Sequence, residues 1–256
     1  MTEAAQPEQP FFEFKEVSKA FDGNRILENV NFTVARGETL GIMGRSGVGK
    51  SVSLKLIMGF LKPDAGRIIA AGQDITDWEE EQLNAIHRQV TMVFQSGALF
   101  DSLSVGENVA FPLRERKELS DDAVDQEVAG LLAMLDLEKF KDEPPAGLST
   151  GMKRAVAIAR ALASKPEAIL YDEPTTMVDP LMVHTIGDLI QRVKKQVKLT
   201  SIVVTHDTRL ARRLADRLVF LHEGRAHFFG TVAEMEASQD PLLRDFLQQD
   251  AMLTVP

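Results

Sequence analysis

The octapeptide GRSGVGKS, Gly44 to Ser51, constrains this chain more than any other segment. An apolar run, ETLGIM (38–43), precedes it, and SVSLKLIM (51–58) follows with apolar residues at helical spacing. The stretch therefore reads as a strand–loop–helix corner, the context that the G-x-x-x-x-G-K-[ST] pattern requires. Gly44, Gly47 and Gly49 let successive backbone amides turn inward as an anion nest. The free N–H groups and dipole of the following helix add to the positive potential. In such a corner Lys50 is placed to reach the β- and γ-phosphates of a nucleotide, and the Ser51 hydroxyl to ligate Mg²⁺. Arg45, Ser46 and Val48 fill the loop and Val52 continues the helix, so residues 44–52 form the candidate nucleotide-binding segment. The plain alternative is a glycine-rich turn that binds nothing; the strand before and the helix after weigh against it.

A second acidic signal lies at AILYD (168–172), an apolar run ending in Asp172 and followed by Glu173. Carboxylates at the C-terminal end of a parallel strand face the crevice where ligands bind. Asp172 is the candidate Mg²⁺ ligand that completes a phosphate loop, and Glu173 the candidate general base toward water. Standing alone, these would read equally well as a solvated strand end; the phosphate loop beside them weighs against it. His206 follows the apolar run SIVVT; a lone histidine there is more often structural than catalytic. Gln95 ends VTMVF, where its amide orients water or Mg²⁺ or merely satisfies backbone groups. LSTGM (148–152) opens the helical stretch KRAVAIARALAS. Ser149 reads either as its N-cap or, with the Gly151 amide, as a second anion site.

The rest of the chain reads as alternating strands and helices around a mostly parallel sheet, an α/β fold. Residues 1–10 have a disorder-prone composition. FFEFKEV, NVNFTVA and ETLGIM are strand-like; a turn at KPDAG (62–66) leads to RIIAA; 79–89 is helical and 90–95 a buried strand. Residues 104–148 are charged and helical, an insertion without strong strands. RLVFLHEGRAHFF (217–229) is a strand pair, and two short amphipathic helices close the chain. In the last, DPLLRDFLQQ, Asp240 suits the cap, Pro241 the first position, and Leu242, Leu243, Phe246 and Leu247 form one stripe. That stripe is expected to dock on its own subunit, while Gln248–Pro256 are long enough to bridge subunits.

Composition excludes several classes. The formal net charge of −9 argues against a general nucleic-acid binder. With no cysteine, disulfides and thiolate chemistry are out. No run approaches the ~18 apolar residues of a membrane span, and TEAAQPEQP is no signal peptide. The expectation is an intracellular protein that works at a membrane only through a partner.

Taken together, these motifs resemble the ATP-binding subunits of ABC transporters over about residues 11–230. GRSGVGKS matches the Walker A loop, Gln95 the Q-loop, LSTGM the signature, ILYDE the Walker B strand with its glutamate, Asp179 the D-loop and His206 the switch histidine. Phe21 stands where the family places an aromatic that stacks on adenine. The resemblance implies a P-loop NTPase fold with an antiparallel N-terminal β-subdomain, a helical subdomain at about 104–163 and a C-terminal tail at 231–256. It implies ATP and Mg²⁺, with Lys50, Ser51, Gln95, Asp172, Glu173 and His206 around one nucleotide. It also supplies a reason for the second anion site: two subunits pair head to tail, and Ser149 and Gly151 of each cap the other's ATP.

FQSGALFDSLSVGENVAFPLRE (94–115) and Met152 further resemble the ATPases of Mla-type phospholipid transporters. That narrower likeness implies an MlaE-like permease, an MCE-domain lipid-binding protein, room for a small accessory subunit, and a place on the cytoplasmic face of a bacterial inner membrane. Ser96–Val105, with Ala98, Leu99, Phe100 and Leu103, is the expected groove for a permease helix. Thr150, Met177 and Val178 depart from the commoner family pattern without removing a catalytic group. An importer with another substrate would share every motif. A GTPase or small-molecule kinase is disfavoured, because N-K-x-D is absent and LSTGM would go unexplained.

Overall fold

The computed structural model describes residues 9–252, except for the side chains of residues 180, 181 and 249–252. The reading of residues 1–10 as disordered falls almost wholly outside the described residues, as does the end of the proposed bridging tail. In chain order the elements are β1 (Phe12–Phe21), β2 (Asn24–Val34), β3 (Thr39–Met43), α1 (Lys50–Ile57), β4 (Ala65–Ala70), β5 (Gln73–Asp74) and α2 (Glu80–His87). Next come β6 (Val90–Val93), α3 (Val105–Arg116), α4 (Asp121–Met134), α5 (Thr150–Ala163), β7 (Ala168–Asp172) and α6 (Pro180–Val197). The chain closes with β8 (Thr200–Val204), α7 (Thr208–Leu214), β9 (Arg217–His222), β10 (Arg225–Thr231), α8 (Val232–Ala237) and α9 (Pro241–Met252). These fall into two compact units, one of Arg88–Lys198 and one of the segments on either side.

In the first unit β1 pairs antiparallel with β2 and with β4, giving the order β2-β1-β4-β5. The expected strands FFEFKEV and NVNFTVA both run further than their alternation suggested. Glu16 (φ 53) and Asn29 (φ 51) are left-handed, and the register shifts between Phe14 and Val17. Such bulges flip the facing of later residues and erase the period-2 signal. The two strands meet at Asp22 (φ 49) and Gly23 (φ 82), the positive-φ pair of a type I′ hairpin turn. A second sheet carries β3 between β8 and β9, parallel to both, with β10 antiparallel on β9. All five residues of β3 are buried, which is why TLGIM is a continuous apolar run. Its C-terminal end delivers the chain to Gly44.

The last two helices dock on the same unit. Leu243 and Phe246 of α9 join Met43, Ala211, Leu218, Phe220 and Met235 in one apolar cluster, with Leu247 at its edge. Leu242, the remaining residue of the expected stripe, is 44% exposed. Asp240 caps α9 by accepting from Leu243 N at 3.0 Å. Leu243 is fully buried, so Leu243→Ala should cost about 2–5 kcal/mol. A urea-unfolding midpoint equal to wild type would show that α9 lies on the fold without stabilising it.

In the second unit β6 runs parallel to β7, and α3, α4 and α5 form the helical insertion expected between them. β6 ends at Val93, two residues short of the expected strand end, leaving Phe94 and Gln95 in a turn. Among the described residues no helix is long and apolar enough to cross a membrane.

Candidate functional site

The phosphate loop takes the form that its sequence demands. Gly44 (φ 151) and Gly49 (φ 107) occupy conformations that L side chains rarely adopt. A Cβ on Gly44 would lie 2.5 Å from the Leu221 carbonyl oxygen, and one on Gly49 2.9 Å from that of Ile26. Only a residue without a side chain fits either place. Gly49 is the N-cap of α1, with no side-chain cap, so the amides of the first turn point into the loop without one.

Lys50 begins α1 and is 6% exposed. Its Nζ donates to the carbonyls of Gly44 at 2.9 Å and Arg45 at 3.1 Å. These bonds hold the ammonium against the loop, and they compensate a buried charge. Arg45, Ser46 and Gly47 are exposed, Val48, Ser51 and Val52 partly so. Arg45 lies 3.7 Å from Asp245, an exposed contact from the loop to α9. Elsewhere in this unit, Phe21 ends β1 with its ring 40% exposed. His206 is exposed two residues beyond β8, directly before Asp207. Asp207 caps α7 by accepting from Arg209 N at 2.9 Å and Leu210 N at 3.0 Å.

In the second unit, Asp172 is the last residue of β7 and half-buried. Glu173 beyond it has φ 47, a left-handed backbone that is uncommon for a non-glycine residue. The Thr176 hydroxyl donates to Glu173 Oε2 at 3.0 Å, a contact that sequence reasoning missed. Further along, Asp179 is exposed and Met177 is 89% exposed, also with positive φ.

Ser149 is the N-cap of α5; its Oγ accepts from Met152 N at 3.3 Å. The capping reading is therefore realised, and the hydroxyl keeps its proton to donate elsewhere. Gly151 has a steric reason of its own, since a Cβ there would overlap the Met182 methyl group.

Gln95 is exposed in the turn after β6, and the loop behind it is held by side chains that the sequence did not single out. Gly97 (φ 79) and Ala98 (φ 46) are both left-handed. Arg160 of α5 donates to their carbonyls at 3.0 and 2.8 Å. Arg154, earlier on the same helix, donates to Phe94 O at 3.2 Å. Burial lowers the pKa of both guanidiniums. Asn108, fully buried in α3, accepts from Phe100 N at 2.9 Å and donates to the carbonyls of Phe100, Leu103 and Ser104. The result is an apolar cavity of about 320 Å³ whose lining includes Phe94, Ala98, Phe100, Phe111, Pro112 and Arg160. None of Ala98, Leu99, Phe100 and Leu103 is buried, so they are not core.

A family model described as ABC transporter matches residues 27–176. The chain belongs to the ABC transporter family. The intermembrane phospholipid transport system ATP-binding protein MlaF of Haemophilus influenzae is 38% identical over 90% of this chain and 87% of its own length. The spermidine/putrescine import ATP-binding protein PotA of Trichodesmium erythraeum is also 38% identical, over 92% of this chain, which spans only 60% of that protein. A dimeric structure of the ATP-binding cassette MJ0796, in a post-hydrolysis state with ADP and Pi, superposes with a TM-score of 0.78. It is 32% identical and covers 86% of this chain and 98% of its own. The ABC ATPase of this chain is therefore an α/β fold that binds ATP with Mg²⁺ and hydrolyses it. ABC ATPases dimerise and work with a membrane permease. The Ser51 hydroxyl in one unit, and the Asp172 carboxylate and Gln95 amide in the other, are each hard oxygen donors of the kind that Mg²⁺ takes.

Proposed function

We propose that this ABC ATPase drives a phospholipid transporter, as the ATP-hydrolysing subunit under an MlaE-like permease with an MCE-domain lipid-binding partner. In this reading it sits on the cytoplasmic face of a bacterial inner membrane and is held there by the permease. The observation that carries the reading is the likeness to MlaF, which extends over nearly the whole of both chains. The equal identity to PotA favours a second reading, an importer of another substrate, although this chain spans less of that protein.

The roles follow from the chemistry of the two half-sites. Phe21 stacks on adenine, and residues 44–52 cradle the phosphates, with Lys50 at the β- and γ-oxygens. Ser51, Asp172 and Gln95 hold Mg²⁺, which neutralises phosphate charge. Glu173 takes the proton of the attacking water as the water oxygen bonds to the γ-phosphorus and the bond to the ADP oxygen breaks. Its carboxylate is oriented for this by Thr176. His206 stabilises the charge that develops on the transferred phosphoryl group. Ser149, Gly151 and Asp179 act on the nucleotide of the partner subunit.

Affinity purification of the chain from detergent-solubilised membranes, followed by mass spectrometry, tests the partners. An MlaE-like permease and an MCE-domain protein are expected; a polyamine-type permease without either would contradict the reading.

The cavity below Phe100 is the surface offered to a permease helix. Phe100 and Phe111 pack ring to ring at 4.7 Å and are 42% and 39% exposed. A charge placed there cannot be buried under an apolar helix without a penalty of several kcal/mol (roughly 2–7 for an unpaired polar group). Phe100→Asp or Leu99→Asp should therefore abolish co-purification of the permease and leave melting and ATP binding of the isolated subunit near wild type. Retained co-purification would place the coupling surface elsewhere.

A further inference from the structure

The ring of Phe21 is backed by a tie that reaches across 45 residues of sequence. Lys19 lies two residues before it on β1, and the Lys19 ammonium sits over the ring, 5.5 Å from its centroid. The same Nζ donates to Asp64 Oδ1 at 2.6 Å. The other carboxylate oxygen of Asp64 accepts from Ala20 N at 2.7 Å, and the Asp64 amide donates to Ser18 O at 2.9 Å. Three successive residues before Phe21 are thus pinned to one aspartate in the KPDAG turn. The hydrogen bond from Lys19, followed by that from Ala20 N, holds the Asp64 carboxyl below its usual range, so it is ionised throughout neutral pH. Just past the ring the chain reverses at Asp22 and Gly23. The end of β1 is therefore fixed from the KPDAG turn and at its own hairpin.

We propose that Lys19 and Asp64 are positioning residues for the nucleotide base: Asp64 fixes the end of β1, and Lys19 occupies one face of the Phe21 ring and leaves the other to adenine. This rests on the reading that Phe21 stacks on the base. Asp64 touches no nucleotide atom and acts through Lys19 and the backbone.

The test compares binding of Mg²⁺-ATP with that of Mg²⁺-tripolyphosphate, which has no base, by calorimetry on the full chain. Phe21→Ala should weaken ATP binding about tenfold or more, the order that base–aromatic stacking supplies. Asp64→Asn and Lys19→Met should each weaken it about two- to fivefold, the size of an exposed cation–π contact or ion pair. Tripolyphosphate affinity should be unchanged in all three. If Phe21→Ala weakens ATP but neither Asp64→Asn nor Lys19→Met does, the positioning role is overturned and the stacking reading stands. If Phe21→Ala leaves ATP binding intact, the stacking reading fails and takes the positioning role with it. Equal losses for ATP and tripolyphosphate would overturn the role too, because the tie would then act on the phosphate side.

Discussion

Glu173→Gln should leave ATP bound and lower kcat by about 10²- to 10⁴-fold, the range that a positioned general base contributes. The expectation comes from where the residue sits as well as from its motif. It follows the half-buried Asp172 at the end of β7, in a left-handed conformation at φ 47. The Thr176 hydroxyl at 3.0 Å orients its carboxylate. Glutamine keeps an oxygen to accept that bond, so the geometry survives and only the basicity is lost. Trapped ATP and an arrested dimer should accumulate, as read by gel filtration with ATP. Near-normal turnover in the assembled transporter would remove Glu173 from the mechanism. Thr176→Val should lower kcat by a smaller factor without changing KM for ATP, which a merely structural threonine would not do.

Ser149→Arg should reduce ATPase activity about 10²-fold or more, comparable to deleting one donor that stabilises transition-state charge. Ser149 caps α5, so the loss could in principle come from an unravelled helix. Ser149→Asn separates the two effects. Asparagine caps about as well as serine, so the helix start is kept, while the larger amide intrudes where a phosphate would lie. Activity lost in Ser149→Asn with unchanged melting marks an anion site; full activity in both variants reduces LSTGM to a helix cap.

What could be read from the sequence was local chemistry. The phosphate loop is legible because eight consecutive residues carry its glycines, cation and hydroxyl, and each neighbouring element has its own period. Asp172, Glu173 and Ser149 sit at element ends, where an apolar run stops or a helical pattern begins. The groups that hold these residues in place were not legible. Asp64 serves Phe21 through Lys19, from which it lies 45 positions away. Asn108 is an amide inside a helix whose four bonds all go to a preceding loop. Arg154 and Arg160 read as ordinary helix charges until their partners, the carbonyls behind Gln95, are seen. The β1–β2 hairpin was hidden because bulges at Glu16 and Asn29 broke the alternation. Its Asp22-Gly23 turn carried the signal that would have found it.

The central claim is that each ATP is hydrolysed by the phosphate loop of one subunit and the signature helix of another. Lys50→Ala removes the first and keeps the second; Ser149→Arg does the reverse. Each variant alone should be inactive. Co-expressed with two different tags and purified through both, they form heterodimers with one intact composite site. The measurement is the ATPase rate of those heterodimers in the assembled complex. The account predicts a rate well above that of either variant alone. Verified heterodimers with no recovered activity would contradict it.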